Sequence, residues 1–175
     1  MMMMRSLEIA IAAAFLGLLT AGSPVLAETP DAKSQSELAA ALKGVKVSLE
    51  KGLVASEREG KPISAKFEVE DGKLQLSAYT MKGGKFSEVI VDHKTGKVAK
   101  TEAITGGEDS AAAKEQSETM AKAKSSLVAV TKRALEENKG FRAVSVTPLM
   151  KAGHPAADVA LVKGEEFKTV SEKLD

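Results

Sequence analysis

The chain has 175 residues, 43% hydrophobic and 28% charged, with 25 basic against 24 acidic side chains and a net charge of +1. That composition suits one or two globular domains and supplies no concentrated positive field, which excludes nucleic acid as a partner. With no Cys, no Trp and 3% aromatics, disulfide frameworks, Cys-based zinc sites, thiol chemistry and base-stacking platforms are excluded too.

The first element along the chain reads as an export signal. Arg5 precedes an apolar run from Ile9 to Leu19. The run is shorter than the roughly 20 residues of a spanning helix but fits the core of a signal peptide. Pro24 breaks the helix beyond it, and Val25-Leu26-Ala27 offers a small-x-small cleavage site. Residues 1–27 are expected to be removed after Ala27, leaving a periplasmic or secreted protein that does not span the membrane. Residues 28–35, polar and containing Pro30, are expected to be a disordered lead-in.

Ser34 and Glu37 form a capping-box pattern. Leu38, Leu42, Val45, Leu49 and Leu53 then recur at helical spacing. One helix over 36–58 is predicted, closed by Gly60 and Pro62. The period next changes to two. Ile63, Ala65, Phe67 and Val69 alternate with polar residues, and Asp71-Gly72 is a strong hairpin signal because both turn positions need positive φ. Leu74, Leu76 and Ala78 continue the alternation. Gly83-Gly84 turns the chain into a strand over 86–91, and Asp92 to Gly96 turns it again into a short strand over 98–104. A Gly-rich acidic linker at 105–109 leads to a second helix, predicted over 111–138 from Met120, Ala123, Leu127, Val130 and Ala134 and stopped at Asn138-Lys139-Gly140. Asp109 or Ser110 is its expected cap. The stretch 111–118, small and charged, is expected to project or fray. Strands follow over 141–150, 156–163 and 166–171, and Pro148 marks an edge or bulge in the first of them.

The pattern is α+β: two repeats of a helix packed on an antiparallel meander, over residues 36–105 and 111–175 with a linker at 106–110. Val54-Ala-Ser-Glu-Arg-Glu-Gly60, Lys66-Phe-Glu-Val-Glu70 and Ser87-Glu-Val-Ile-Val-Asp-His-Lys-Thr-Gly-Lys-Val98 resemble a PepSY domain. Gly140-Phe-Arg-Ala-Val-Ser-Val-Thr-Pro148 and Ala157-Asp-Val-Ala-Leu-Val162 resemble a divergent second copy without the Val-Asp-x-x-Thr-Gly element. The resemblance implies a PepSY/cystatin-like fold, similar to metallopeptidase propeptides, and a role as inhibitor or regulator of peptidases in the bacterial envelope. Asp92, Thr95 and Gly96 then form a fold-signature turn: Asp92 accepts backbone N–H bonds and Gly96 takes a conformation costly for other residues.

The residues for chemistry are missing. There is no nucleophile elbow, no zinc helix and no phosphate loop. His93 and His154 fall in separate turns, so no metal site and no cofactor is expected. Glu68 and Glu70 lie on the polar phase of a strand. The chain is expected not to be an enzyme but a binding or regulatory protein whose partner is an envelope protein, a peptidase by the resemblance. The alternative is a small-ligand or sensor module with a pocket between helix and sheet. Tyr79, the one Tyr, lies on the polar phase with Gln75 and Lys73, and these three are the expected contact surface.

Overall fold

The computed structural model describes residues 32–175. The expected signal peptide, its expected cleavage site and the start of the expected lead-in lie outside the described residues. The order of elements is α1 (Ala32–Ala41), a short 3-10 turn (Leu42–Gly44), α2 (Leu49–Ser56), β1 (Lys61–Glu70), β2 (Lys73–Lys82), β3 (Lys85–Val91), β4 (Val98–Ile104), α3 (Gly107–Lys122), α4 (Leu127–Glu137), β5 (Arg142–Lys151), β6 (His154–Lys163) and β7 (Glu166–Lys173). The class is α+β, as the alternating patterns require.

The strands do not form two separate helix-on-meander repeats. They make one antiparallel sheet in the order β4-β3-β2-β1-β5-β6-β7. A single apolar row explains why. Val89, Ala78, Ala65, Val146, Val159 and Val170 stand opposite one another in register across six strands, and five of the six are fully buried. Burying a Val or Leu side chain stabilises a fold by about 1.5–3 kcal/mol. A joined sheet therefore covers more apolar surface than two small halves would. Helices α2 and α4 cover this face and touch each other, α2 over β1–β3 and α4 over β5–β7. Leu49, Leu53, Leu127, Val130 and Ala134 point into the shared core.

The join is narrow. Strands β1 and β5 pair only at Ala65 opposite Val146 and Lys66 opposite Ser145, then diverge in both directions. At one end the turn after α1 fills the gap: Arg142 Nη1 donates to Leu42 O at 3.0 Å and Nη2 to Val45 O at 3.4 Å. At the other end α3 fills it: Ser64 Oγ donates to Gln116 Oε1 at 2.7 Å and Lys61 Nζ to Met120 O at 3.1 Å. Pro148 lies in β5 beyond the stretch paired with β1. There β5 is locally an edge, where a missing N–H is tolerated.

Both predicted helices break in two, and by one device. The first breaks at Val45–Ser48, where Lys46 N and Val47 N both donate to His93 O at 3.2 and 3.1 Å. The second breaks at Ala123–Ser126, where Lys124 N and Ser125 N both donate to Leu174 O at 2.7 and 2.9 Å. In each case the next residue is a Ser that caps the new helix, Ser48 accepting from Lys51 N and Ser126 from Ala129 N. The apolar stripe runs on through the break, because Val45 and Val47 are buried although not helical.

Three smaller expectations also change. Residues 32–35 are helical, so Ser34 lies inside α1 and is not its cap; Ala, Lys and Gln are good helix formers. Helix α3 begins at Gly107 and has no side-chain cap, with Glu108 and Asp109 in its first turn, where acidic groups complement the helix dipole. The stretch 111–118 does not project. It packs on β1, β5 and β6, because Ala113 is small enough to be buried there.

Candidate functional site

The face of the sheet opposite α2 and α4 carries the polar phase of the strands, and it is not a simple solvated face. Ser64, Lys66 and Glu68 on β1 stand opposite Tyr79, Ser77 and Gln75 on β2, with Glu88 of β3 beside Tyr79. Lys66 Nζ lies 2.6 Å from Glu68 Oε2. Ser77 Oγ, fully buried, donates to Glu68 Oε1 at 3.4 Å. Gln75 Nε2 reaches Ser77 Oγ at 3.0 Å and Glu88 Oε1 at 3.3 Å. Lys66 Nζ also sits 5.7 Å from the centre of the Tyr79 ring, within range of a cation–π contact. Helix α3 roofs this cluster, leaving a cavity of about 170 Å³ between Tyr79, Lys66 and the small residues Ala112 and Ala113.

Burial sets the titration of the cluster. It pushes the Tyr79 phenol up from the usual 10.0 to about 12, with Lys66 pulling the other way and the Glu88 and Glu68 carboxylates adding to the rise. Burial works against the charge of Lys66, but Tyr79 and Glu68 outweigh it and hold Lys66 above the ordinary lysine range. Both groups are moved away from neutral pH.

Tyr79 is the one Tyr and there is no Trp, so the ultraviolet absorbance of phenolate follows this group alone. The folded chain is expected to titrate near 12 and the urea-unfolded chain near 10.0. The unfolded state loses the proton first, so stability is full below the unfolded value and falls as pH rises toward the folded one. A folded-state midpoint at the unfolded value would contradict the burial of this ring.

Beside the cluster a groove of about 410 Å³ opens where β1 and β5 diverge. Leu38 of α1, Phe67, Val144, Ala160 and Phe167 give it apolar walls, and Lys66, Glu68 and Asp158 line it with charge. Lys151 Nζ holds the Asp158 carboxylate at 2.6 Å and donates to Ser171 Oγ at 2.9 Å. Among the three expected contact residues, Tyr79 and Gln75 belong to the polar cluster, whereas Lys73 stands exposed at the β1–β2 hairpin, opposite Glu70. The groove draws on both halves of the chain. Sequence spacing gave no signal for Ala160 or Phe167 beside Phe67, since that proximity comes from the β1–β5 pairing.

The turn after β3 has its own geometry. Asp92 Oδ1 accepts from Lys94 N at 2.8 Å and Thr95 N at 2.9 Å. These bonds hold the carboxyl below its usual range. Gly96 has φ +75°, donates to Asp92 O at 2.7 Å and lies against Val47. Thr95 Oγ1 accepts from Lys97 N at 3.4 Å. With His93 O holding the α1–α2 break, this turn docks the helices on the sheet. His154 lies far along the chain at the start of β6, 3.0 Å from Asp175. Among the described residues no group of three His, Cys, Asp or Glu is placed to hold a metal, and no helix is long and apolar enough to cross a membrane.

No family model matches the chain, and no curated protein matches it. Among solved structures, it is similar to the crystal structure of a candidate lipoprotein from Clostridium difficile 630, at 10% identity and a TM-score of 0.43, over 75% of this chain and 88% of that one.

Proposed function

We propose that the chain is an exported, non-enzymatic binding protein of the PepSY type, which regulates a peptidase of the cell envelope by holding a segment of it. The observation that carries this reading is the groove beside α1, with apolar walls and charged groups among them. Such a surface matches an extended peptide, whose side chains enter the apolar part while its backbone meets polar groups. The titration of Lys66 and Tyr79 supports holding over proton transfer, because a general acid or base works best with a pKa near the working pH. Export rests on the signal pattern of residues 1–27. The PepSY reading rests on the residues from Val54 to Val98.

Two tandem units remain part of this proposal. The supporting features are matched in order: ten-residue strands at β1, β2, β5 and β6, positive-φ turns at Asp71-Gly72 and Ala152-Gly153, and the paired helix breaks. A duplicated unit accounts for all three at once.

The groove volume also favours the second reading, a small-ligand site, since about 300–1,000 Å³ is typical of such pockets. One variant separates the two. Ala160→Phe fills the groove from β6. The parent chain is expected to retain a peptidase from an envelope extract and to lower its activity as it is titrated in. The variant should retain about tenfold less at an unchanged urea midpoint. Equal retention by both chains would end the groove reading. If no peptidase is retained and a small molecule raises the melting temperature of the parent but not of the variant, the second reading replaces the first. A ligand at about 100 times its Kd adds about 2.7 kcal/mol.

A further inference from the structure

The two edges of the sheet are treated differently. At β7, Arg133 of α4 binds the Glu172 side chain at 2.5 Å and donates to the Lys173 carbonyl at 2.7 Å. Helix α4 thereby covers the end of that strand. At β4, among the described residues, no such cap exists: Ala99, Lys100, Thr101, Glu102 and Ala103 are all exposed. Among the described residues, the only side-chain bond on β4 is its own Lys100 Nζ to Glu102 Oε1 pair, 2.8 Å long. An uncapped edge with its N–H and C=O groups free is a template for another strand.

The sequence of β4, Val98-Ala-Lys-Thr-Glu-Ala-Ile104, is complementary to itself in reverse. With Thr101 placed opposite Thr101, Val98 meets Ile104, Ala99 meets Ala103, and Lys100 meets Glu102 twice. Each charge then has opposite charges both along its own strand and across the pair. Residues of like parity face each other, so the outward N–H and C=O groups of the two strands coincide. The neighbouring registers are penalised. A shift of two residues in one direction sets Lys100 against Lys100, and in the other Glu102 against Glu102, and like charges directly opposite are destabilising. A shift of one residue turns the side chains to the wrong face.

We propose that β4 pairs antiparallel with β4 of a second copy of this chain about a two-fold axis at Thr101, giving a continuous fourteen-stranded sheet. The pairing is independent of the groove. One strand a side makes a small interface, so the dimer is weak and concentration-dependent.

Sedimentation velocity on the purified full chain over about a hundredfold concentration range tests this. Cross-strand ion pairs are each worth about 0.2–1 kcal/mol, and one substitution affects both pairs of the dimer. Glu102→Lys or Lys100→Glu alone, which sets like charges opposite each other, is expected to weaken association about tenfold. The double exchange K100E/E102K should restore it. Hydrogen exchange should slow with concentration at the β4 amides and not at those of β7. The double exchange also controls for folding, since it carries both changes. A chain that stays monomeric across the range would overturn the proposal. So would a dimer indifferent to the single charge changes, or one that protects an edge other than β4.

Discussion

Removing the last two residues, Leu174 and Asp175, is expected to destabilise the fold by about 4 kcal/mol or more, measured as a shift in urea midpoint at constant slope. The Leu174 side chain is fully buried, in one cluster with Leu127, Val130 and Ala157. Its backbone is used as well. Leu174 N donates to Pro155 O at 3.0 Å, and Leu174 O takes both amides that break α3 from α4. Deleting a buried Leu side chain costs about 2–5 kcal/mol. Depriving partly enclosed amides of their acceptor adds about 1–3 kcal/mol. Leu174→Ala keeps the carbonyl and should fall in the lower range alone. Removing Asp175 alone leaves only the exposed pair with His154 unmade, and should change stability by less than about 1 kcal/mol. A loss of less than about 1 kcal/mol for the two-residue deletion would mean that Leu174 does not anchor the α3–α4 break. Whole domains are stable by only about 5–15 kcal/mol, so Leu174 carries a large share.

The strands and their turns were legible because period-two alternation and the Gly-containing turns are local signals. Asp71-Gly72 has positive φ at both residues, 49° and 71°, as its type requires. The helix breaks were not legible, because their cause is distant. The stripe through Leu38, Leu42, Val45, Leu49 and Leu53 does face the core throughout, so periodicity alone predicts an unbroken helix. What stops it is a carbonyl after β3, and in the second half a carbonyl after β7. The local trace was a capping Ser directly before a Leu, at Ser48-Leu49 and Ser126-Leu127. The candidate site was half legible. Parity put Tyr79 and Gln75 on the polar face, but Tyr79 lies under α3 and none of Tyr79, Gln75 and Lys73 lines the groove. The roof by α3 and the groove partners on β6 and β7 depend on the two-residue join of β1 to β5, which leaves no pattern in sequence.

Gly52→Val is expected to cost about 3 kcal/mol or more, because this glycine sets the distance between α2 and the sheet. In a helix interior, Gly is about 1 kcal/mol worse than Ala, so Gly52→Ala would stabilise the chain if space were free. It is not. A Cβ at this position would lie 2.7 Å from Leu76 Cδ2 and 3.1 Å from its Cγ, and Leu76 is fully buried in β2. Overpacking of that kind costs about 1–3 kcal/mol, which exceeds the helix gain and makes Gly52→Ala destabilising by about 1 kcal/mol. Val adds two methyl groups and a stiff χ1 at the same point. Gly44 is the internal control, since a Cβ there would meet nothing within 4 Å and its φ is ordinary; Gly44→Ala should be neutral or slightly stabilising. The clash also predicts coupling. Leu76→Ala alone leaves a cavity costing about 2–5 kcal/mol, but it removes the atoms that Gly52→Ala would strike. The double variant should therefore be less destabilised than the sum of the two by about 1 kcal/mol or more, beyond the about 0.3–0.5 kcal/mol expected of independent sites. Strict additivity in urea unfolding would show that α2 has room to move off β2, and that Gly52 is there for some reason other than the close approach to Leu76.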